Sequence, residues 1–189
     1  MRWQTLFLSL TFLFAPSRGG PSLIFHPSEE PRQVERLGLR AVAAKDEGEP
    51  EAPDFTLTDL DGHPFQLKSQ RGKAVLMEFW ASWCGPCRLE MPIVEKLHRR
   101  FQHKGLTVVG INDEDPEVAQ EFLQDKEFTF PMLVDKDGEV ADSYEVDAIP
   151  TLVLVDREGK IVHREVGLGS ERQLLESLQK IGIDAHEKP

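Results

Sequence analysis

Residues Ala74 to Ala81 form an apolar run broken once, at Glu78, and the chain passes from it into Trp83-Cys84-Gly85-Pro86-Cys87. A short apolar segment without alternation reads as a strand covered on both faces, since a strand with one wet face alternates apolar and polar residues. That demands a sheet with layers on either side. The 189 residues, 40% of them hydrophobic, suffice for one such domain plus extensions.

The flanking pattern fills in the sheet. Phe55 and Leu57 alternate, Asp61-Gly62 marks a turn, and Phe65 and Leu67 alternate again, which predicts a β-hairpin. Leu89, Ile93, Leu97 and Phe101 recur every four residues and predict the buried face of a helix ending near Gly105. Leu106 to Ile111 reads as a second buried strand. Asp115 stands as a cap before Pro116, with Val118, Phe122 and Leu123 as that helix's apolar face. Phe130 to Val134 is a third strand. A short helix with Val140, Ala141 and Tyr144 follows, then strands at Thr151–Val155 and Ile161–Val166. Ser170 with Gln173 forms a capping box, and Leu174, Leu175, Leu178 and Ile181 the buried face of a last helix stopped by Gly182. The order ββ, then β-α-β-α-β-α-β-β-α, is an α/β sheet of mixed strand direction flanked by helices.

Charge and cysteine content remove several function classes. With 22 Lys+Arg against 33 Asp+Glu the net charge is −11, so nucleic acid is not an expected partner. Two cysteines cannot make a multi-bridge scaffold or a four-cysteine zinc site, and the six histidines are scattered. Haem attachment would want His at position 88, which is Arg88. No metal and no cofactor is expected.

The two cysteines are themselves placed for chemistry. Cys84 and Cys87 stand three apart at a helix start, within one turn and within disulfide reach. Free backbone N–H groups at that helix end stabilise a thiolate at Cys84. Gly85 leaves room for close backbone approach, and Pro86 brings no N–H needing a partner. Cys87 lies one turn deeper. Cys84 is therefore the expected nucleophile and Cys87 the resolving thiol. Glu78, alone in an apolar strand, should have a raised pKa and is a candidate proton acceptor for Cys87. Its competing reading is a solvated sheet edge. Trp83 is expected to shape the contact surface beside Cys84, and Trp80 to sit in the core. Pro92 is expected to kink its helix. The acidic stretch Asn112 to Asp115 reads as a strand-to-helix loop with a cap rather than a cation site.

The Phe79-Trp80-Ala81-Ser82-Trp83-Cys84-Gly85-Pro86-Cys87 segment resembles thioredoxin. Ala52-Pro53-Asp54-Phe55-Thr56-Leu57 with Asp61-Gly62, Arg88-Leu89-Glu90-Met91-Pro92 after the CxxC, and the extra β-α unit before Ile149-Pro150-Thr151 narrow the likeness. Together they resemble the TlpA/ResA-like thiol–disulfide oxidoreductases, which include the DsbE/CcmG cytochrome c maturation proteins, over roughly residues 52–182. The resemblance implies a thioredoxin fold with an N-terminal β-hairpin and a central β-α insertion. It implies a cis Ile149–Pro150 bond opposite Cys84, with Ile149 offering its backbone to a substrate. Trp83, Gly85, Pro86, Ile149 and Pro150 are thus the expected substrate contacts. Glu90 matches the acid that ResA-like proteins carry beside their CxxC and is a second candidate proton acceptor, its competing reading being a solvated helix face.

The activity so implied is an exported thiol–disulfide oxidoreductase. A reductase of protein disulfides is favoured, with apocytochrome c as the family's usual client. Disulfide-bearing proteins and a thiol-reducing membrane electron donor are the expected partners, and a monomer the expected state. Two other readings stand beside it. A thiol peroxidase would place Thr or Ser three residues before the reactive cysteine, where Ala81 stands. A peptide-binding module would use the CxxC only to hold its groove.

Residues 1–20 read as a signal peptide or N-terminal anchor, with one basic residue, Arg2, before the apolar run Trp3 to Ala15. An extracytoplasmic, periplasmic location is expected. Residues 21–51 read as a Pro- and Glu-rich linker, with a short helix over Val34 to Ala44, residues 52–184 as the domain, and 185–189 as a tail.

Overall fold

The computed structural model describes residues 48–185. The signal peptide or anchor, the Val34–Ala44 helix, the linker through residue 47, and the tail from residue 186 lie outside the described residues. Among the described residues no helix is long and apolar enough to cross a membrane.

The chain runs β1 (Thr56–Asp59), β2 (Pro64–Gln66), β3 (Ala74–Phe79), α1 (Gly85–Phe101), β4 (Leu106–Asn112), α2 (Pro116–Leu123), β5 (Met132–Val134), α3 (Glu139–Ser143), β6 (Thr151–Val155), β7 (Ile161–Val166) and α4 (Glu171–Lys180). The seven strands form one sheet in the order β2-β1-β5-β4-β3-β6-β7. β3 pairs parallel with β4 and antiparallel with β6, so the sheet is mixed, as expected. The fold is α/β of thioredoxin type. The β1–β2 hairpin turns at Gly62, whose φ of 86° suits glycine. The inserted β-α unit is α2 with β5, and β5 joins the hairpin to β4.

All six residues of β3 are buried, and their alternation builds both layers. Ala74 and Leu76 face one cluster with Met91, Val94, Leu97 and Phe101 of α1 and Leu174 and Leu178 of α4. Val75, Met77 and Phe79 face the other, with Val109, Ile111, Leu133, Val140 and Tyr144. The same alternation turns Glu78 towards α1.

Several local expectations give way. Leu89 is 64% exposed, and the buried stripe of α1 is Cys87, Glu90, Met91, Val94, Glu95, Leu97 and Phe101. Two buried glutamates lie in that stripe, so the apolar letters alone pointed to a row rotated towards solvent. Glu95 is tolerated because it accepts from Thr129 N–H at 2.8 Å, from Thr129 Oγ1 at 2.7 Å and from Arg99. Pro92 stands inside α1, and the helix continues on both sides of the position where a kink is expected. On α2 the buried residue is Ala119, while Val118 is exposed. Asp115 and Ser170 hold N-cap positions without side-chain capping bonds. Asp115 instead lies 3.7 Å from Lys136, and the Ser170 N–H donates to Glu165 Oε1 at 3.2 Å. β5 begins at Met132, not Phe130, because Pro131 has no N–H for the ladder. Pro50 and Glu51, read as linker, are tied to β7: Ile161 N–H donates to Pro50 C=O at 2.9 Å, and Glu51 bridges Lys160.

Candidate active site

The site sits where β3 delivers the chain to the N-terminus of α1. Cys84 is the N-cap residue, and its Sγ accepts the Cys87 N–H at 3.2 Å. Pro86 occupies the first turn, where a missing N–H forfeits no helical bond. The two sulfurs form a disulfide, with Cα atoms 5.3 Å apart. Cys84 is 3% exposed and Cys87 fully buried, so the expected difference in depth is present but small. Among the described residues nothing outside its chain neighbours and its own helix lies within 4 Å of where a Gly85 side chain would stand, so there is room at Gly85 for close approach. Trp83 is 71% exposed beside it, whereas Trp80 lies in the core against Phe122, with ring centroids 5.5 Å apart.

The segment before Cys84 is braced by residues the sequence reading did not assign to the site. Ser82 donates to Glu114 from its N–H at 2.6 Å and from its Oγ at 2.7 Å. Asn112 Nδ2 donates to Glu114 at 2.9 Å and to the Trp80 carbonyl at 3.2 Å. Arg88 clasps the Ser82 carbonyl from the other side, at 3.0 and 2.6 Å. Burial alone would raise the Glu114 pKa, but the bonds from Ser82 and Asn112 overcome it and hold the carboxylate below its ordinary range. The Asn112-Asp113-Glu114 motif at a strand end was the available signal; its acidic character read as capping.

Ile149–Pro150 is cis, at the edge of β6 where Thr151 registers with Phe79 of β3. That places it under the start of the CxxC segment. Ile149 packs against both core clusters, one of which contains Cys84 and Cys87. The Pro150 carbonyl accepts from Gly167 N–H at 2.8 Å. Among the described residues the Ile149 N–H and C=O have no hydrogen-bond partner, which leaves them open to an incoming strand.

Both candidate carboxyls are buried, so neither competing solvated reading holds. Glu78 is 0% exposed, and neither of its oxygens has a partner among the described residues. Burial, then the charge of Glu90, push its pKa well above the carboxylate range. Glu90, one turn beyond Cys87, is 1% exposed. Its Oε1 accepts the Gly169 N–H at 2.7 Å, and its Oε2 has no partner among the described residues. Burial lifts its pKa to about 7, the Gly169 bond opposes the rise, and the charge of Glu165 adds to it. A Cβ at Gly169 would lie 2.7 Å from Glu165 and 2.9 Å from Glu90, so a side chain there would displace both carboxyls.

The profile of the AhpC/TSA family matches residues 49–164. The thiol-disulfide oxidoreductase ResA of Bacillus cereus is 36% identical over 132 residues, 69% of this chain and 76% of that protein. ResA of Geobacillus kaustophilus is 34% identical over 131 residues, 69% of this chain and 75% of its own. Among solved structures, a Chlorobium tepidum protein described as a thiol:disulfide interchange protein DsbE superposes with a TM-score of 0.67 at 32% identity, covering 70% of this chain and 96% of that one.

Proposed function

This chain belongs to the AhpC/TSA family, as a ResA-like thiol–disulfide oxidoreductase of thioredoxin fold, and from that premise we propose that it reduces protein disulfides outside the cytoplasm. The observation that carries the chemistry is the Cys84–Cys87 pair at the start of α1, with Cys84 Sγ on the Cys87 N–H at 3.2 Å. An N–H that already points at this sulfur favours its thiolate, so Cys84 is the attacking group.

In the reducing direction the Cys84 thiolate attacks one sulfur of a client disulfide. A Cys84–client disulfide forms and the client's other sulfur leaves as a thiolate. Cys87 then gives up its proton and attacks Cys84 Sγ. The Cys84–Cys87 bond closes, and the second client sulfur leaves. Two electrons have passed to the client, which gains two protons. Glu78 and Glu90 are the candidate acceptors for the Cys87 proton: both are buried on the α1 side of the sheet, burial raises the pKa of each, and that of Glu90 reaches about 7. Trp83, Gly85, Pro86 and Ile149 form the contact surface.

Two features support the direction. Gly-Pro between the cysteines is the thioredoxin dipeptide, whose pair sits near about −270 mV against about −120 mV for a strong oxidant. The carboxyls Glu78 and Glu90 are buried on the α1 side of β3, and as carboxylates they disfavour a second thiolate. The exported location rests on the reading of residues 1–20 as a signal peptide or anchor. An exported reductant needs a membrane electron donor that delivers two electrons as a dithiol. Apocytochrome c is the client that kinship with ResA and DsbE favours. A peroxidase is disfavoured by Ala81, fully buried and without a hydroxyl three residues before Cys84.

Redox-buffer titration of the full chain tests the direction. A midpoint near that of thioredoxin is expected; one near about −120 mV overturns the reductase reading. Trapping tests the roles: Cys87→Ser should accumulate a client mixed disulfide. Accumulation only with Cys84→Ser reverses the assignment, and full activity in Cys84→Ser leaves a non-catalytic binding module.

A further inference from the structure

We propose that His163 is a positioning residue for proton exchange at Glu90: paired with Glu165, it sets the charge that faces the Glu90 carboxyl across Gly169. This rests on Glu90 exchanging the Cys87 proton, and so deepens the oxidoreductase reading.

Two successive amides before α4 hold two carboxyls side by side. The Gly169 N–H donates to Glu90 Oε1 at 2.7 Å, and the Ser170 N–H to Glu165 Oε1 at 3.2 Å. The space a Gly169 Cβ would take is bounded by Glu90 Oε1 at 2.9 Å and Glu165 Oε2 at 2.7 Å, so these oxygens face each other over one glycine. Glu165 Oε2 also lies 3.4 Å from His163 Nε2. The His163 ring is anchored from behind by Ser177 Oγ of α4, 3.2 Å from Nδ1. A hydroxyl can donate to a neutral ring nitrogen or accept from a protonated one, so the imidazole can gain or lose a proton where it stands. The side chains of His163 and Glu165 are only 17% and 19% exposed, so water screens their charges little on the way to Glu90.

The effect on Glu90 follows from charge. After burial and the opposing Gly169 bond, the charge of Glu165 acts on the Glu90 carboxyl and makes it harder to ionise. An imidazolium beside Glu165 offsets that charge, and a neutral imidazole leaves it standing. The other charges around these groups are engaged or turned away. On β7, Arg164 alternates to the opposite face and donates to the Tyr144 and Glu145 carbonyls. On α1, Arg88 clasps Ser82 and Glu95 holds Thr129, while Lys96 pairs with Glu171 of α4 at 2.6 Å. Arg172, Glu176 and Lys180 of α4 are exposed. On β6 the register partners of His163 and Glu165 are Leu154 and Leu152. From β3, Glu78 acts on Glu90, and Cys87 lies one turn before it on α1. Among the described residues no lysine or arginine pairs with Glu165, which leaves His163 to balance it.

The test is the pH titration of the Glu90 carboxyl carbon by NMR in the oxidised full chain, with product release as the functional readout. Release is the concentration-independent phase of hydroxyethyl disulfide reduction by the reduced full chain, in which Cys87 expels the product thiol from Cys84. Glu165→Gln should lower both midpoints by about half a pH unit, the effect of removing one charge at this spacing beside a wet loop. His163→Gln should raise both by ~0.3 unit, and the double variant should lie close to Glu165→Gln. In the unaltered chain the His163 ring carbon should show a second inflection at the Glu90 midpoint. Shifts in the same direction for both single variants mark general loosening and overturn the proposal. So do midpoints within about 0.1 unit of wild type, a His163→Gln shift of full size in the double variant, or a His163 ring without the second inflection. Each of these, with hydroxyethyl disulfide still reduced, leaves the oxidoreductase standing without this residue. No reduction by the wild type at any pH removes the oxidoreductase reading and the positioning role with it.

Discussion

Replacing Glu90 by Gln should change how stability depends on pH, in a direction and amount that follow from its surroundings. In the folded chain Glu90 is held up to about 7, against 4.5 for an ordinary glutamate. Between those values the unfolded chain has released the proton and the folded chain still holds it. Folding therefore takes up a proton, and the stability owed to this residue falls as pH rises, by about 1.4 kcal/mol per pH unit. The fall begins near pH 4.5 and levels off above pH 7. The whole gap corresponds to roughly 3 kcal/mol, nearer ~2 kcal/mol once water at the Gly169 loop is allowed for. Glutamine cannot ionise, and its amide oxygen can keep the Gly169 N–H. Its amide nitrogen takes the place of an oxygen that has no partner, which adds a constant penalty of about 1–3 kcal/mol. The constant does not matter; the slope does. Guanidinium unfolding of the oxidised full chain, without thiol, should show the variant gaining ~2 kcal/mol on the wild type between pH 4.5 and pH 8. His98, whose pKa burial lowers, titrates in the opposite sense but in both proteins, so it cancels. Glu78 reinforces the trend, because losing the Glu90 charge eases its own ionisation. A difference constant to within about 0.5 kcal/mol, or one that shrinks as pH rises, would refute the burial argument for both acids.

Gly169→Ala drives a Cβ against Glu165 and Glu90 and should break the Gly169–Glu90 bond. The expected loss is ~1 kcal/mol of stability and a further rise of the Glu90 pKa, read from the carboxyl carbon shift by NMR; an unchanged Glu90 titration contradicts this. Glu114→Ala removes the acceptor for three hydrogen bonds from Ser82 and Asn112. Thermal melting at neutral pH should register ~1–3 kcal/mol, and the wild-type advantage should fade as pH drops below 4.5, since this carboxyl's folded pKa is depressed. The two rows of α1 can be told apart by truncation in denaturant melts. Met91→Ala should lose about 2–5 kcal/mol and Leu89→Ala less than about 0.5; the reverse order would restore the helix face read from spacing.

The element order was legible because strand and helix periods are set by local chain geometry, and β3 announced itself by having no wet face. What escaped depended on partners far along the chain. The buried row of α1 carries Glu90 and Glu95, polar letters whose backbone partners Gly169 and Thr129 lie 79 and 34 residues away. Asp115 and Ser170 carry capping residue types, yet the side chain of one lies against Lys136 and the backbone of the other is tied to Glu165. Within the site the cysteines and Glu78 stood out from their neighbours. Glu114 did not, because its function lies in the Ser82 amide 32 residues earlier. Gly169 had no local signature; the two carboxylates converging on it are what a side chain there would displace.

Glu78 and Glu90 together carry the argument for a functional acid pair. A sequence selected for stability alone would put Leu or Val at position 78, since every other residue of β3 is apolar and buried and a carboxyl without partners is costly there. The cost is concentrated on the face of β3 that meets α1, one turn of which separates Cys87 from Glu90. Two acids in one electrostatic field titrate as a pair: burial raises both, Glu90 to about 7, and the charge of Glu90 raises Glu78 further. Glu90 also lies next to the surface, because its Oε1 accepts the Gly169 N–H of the β7–α4 loop, in which the neighbouring Ser170 N–H donates to Glu165. We therefore assign Glu90 the exchange of protons with solvent and Glu78 the inner reservoir. On that division Glu78→Gln should slow the release of a trapped client at every pH, while Glu90→Gln should chiefly displace the pH at which release is half-maximal. Identical pH profiles for the two variants would dissolve the distinction between them.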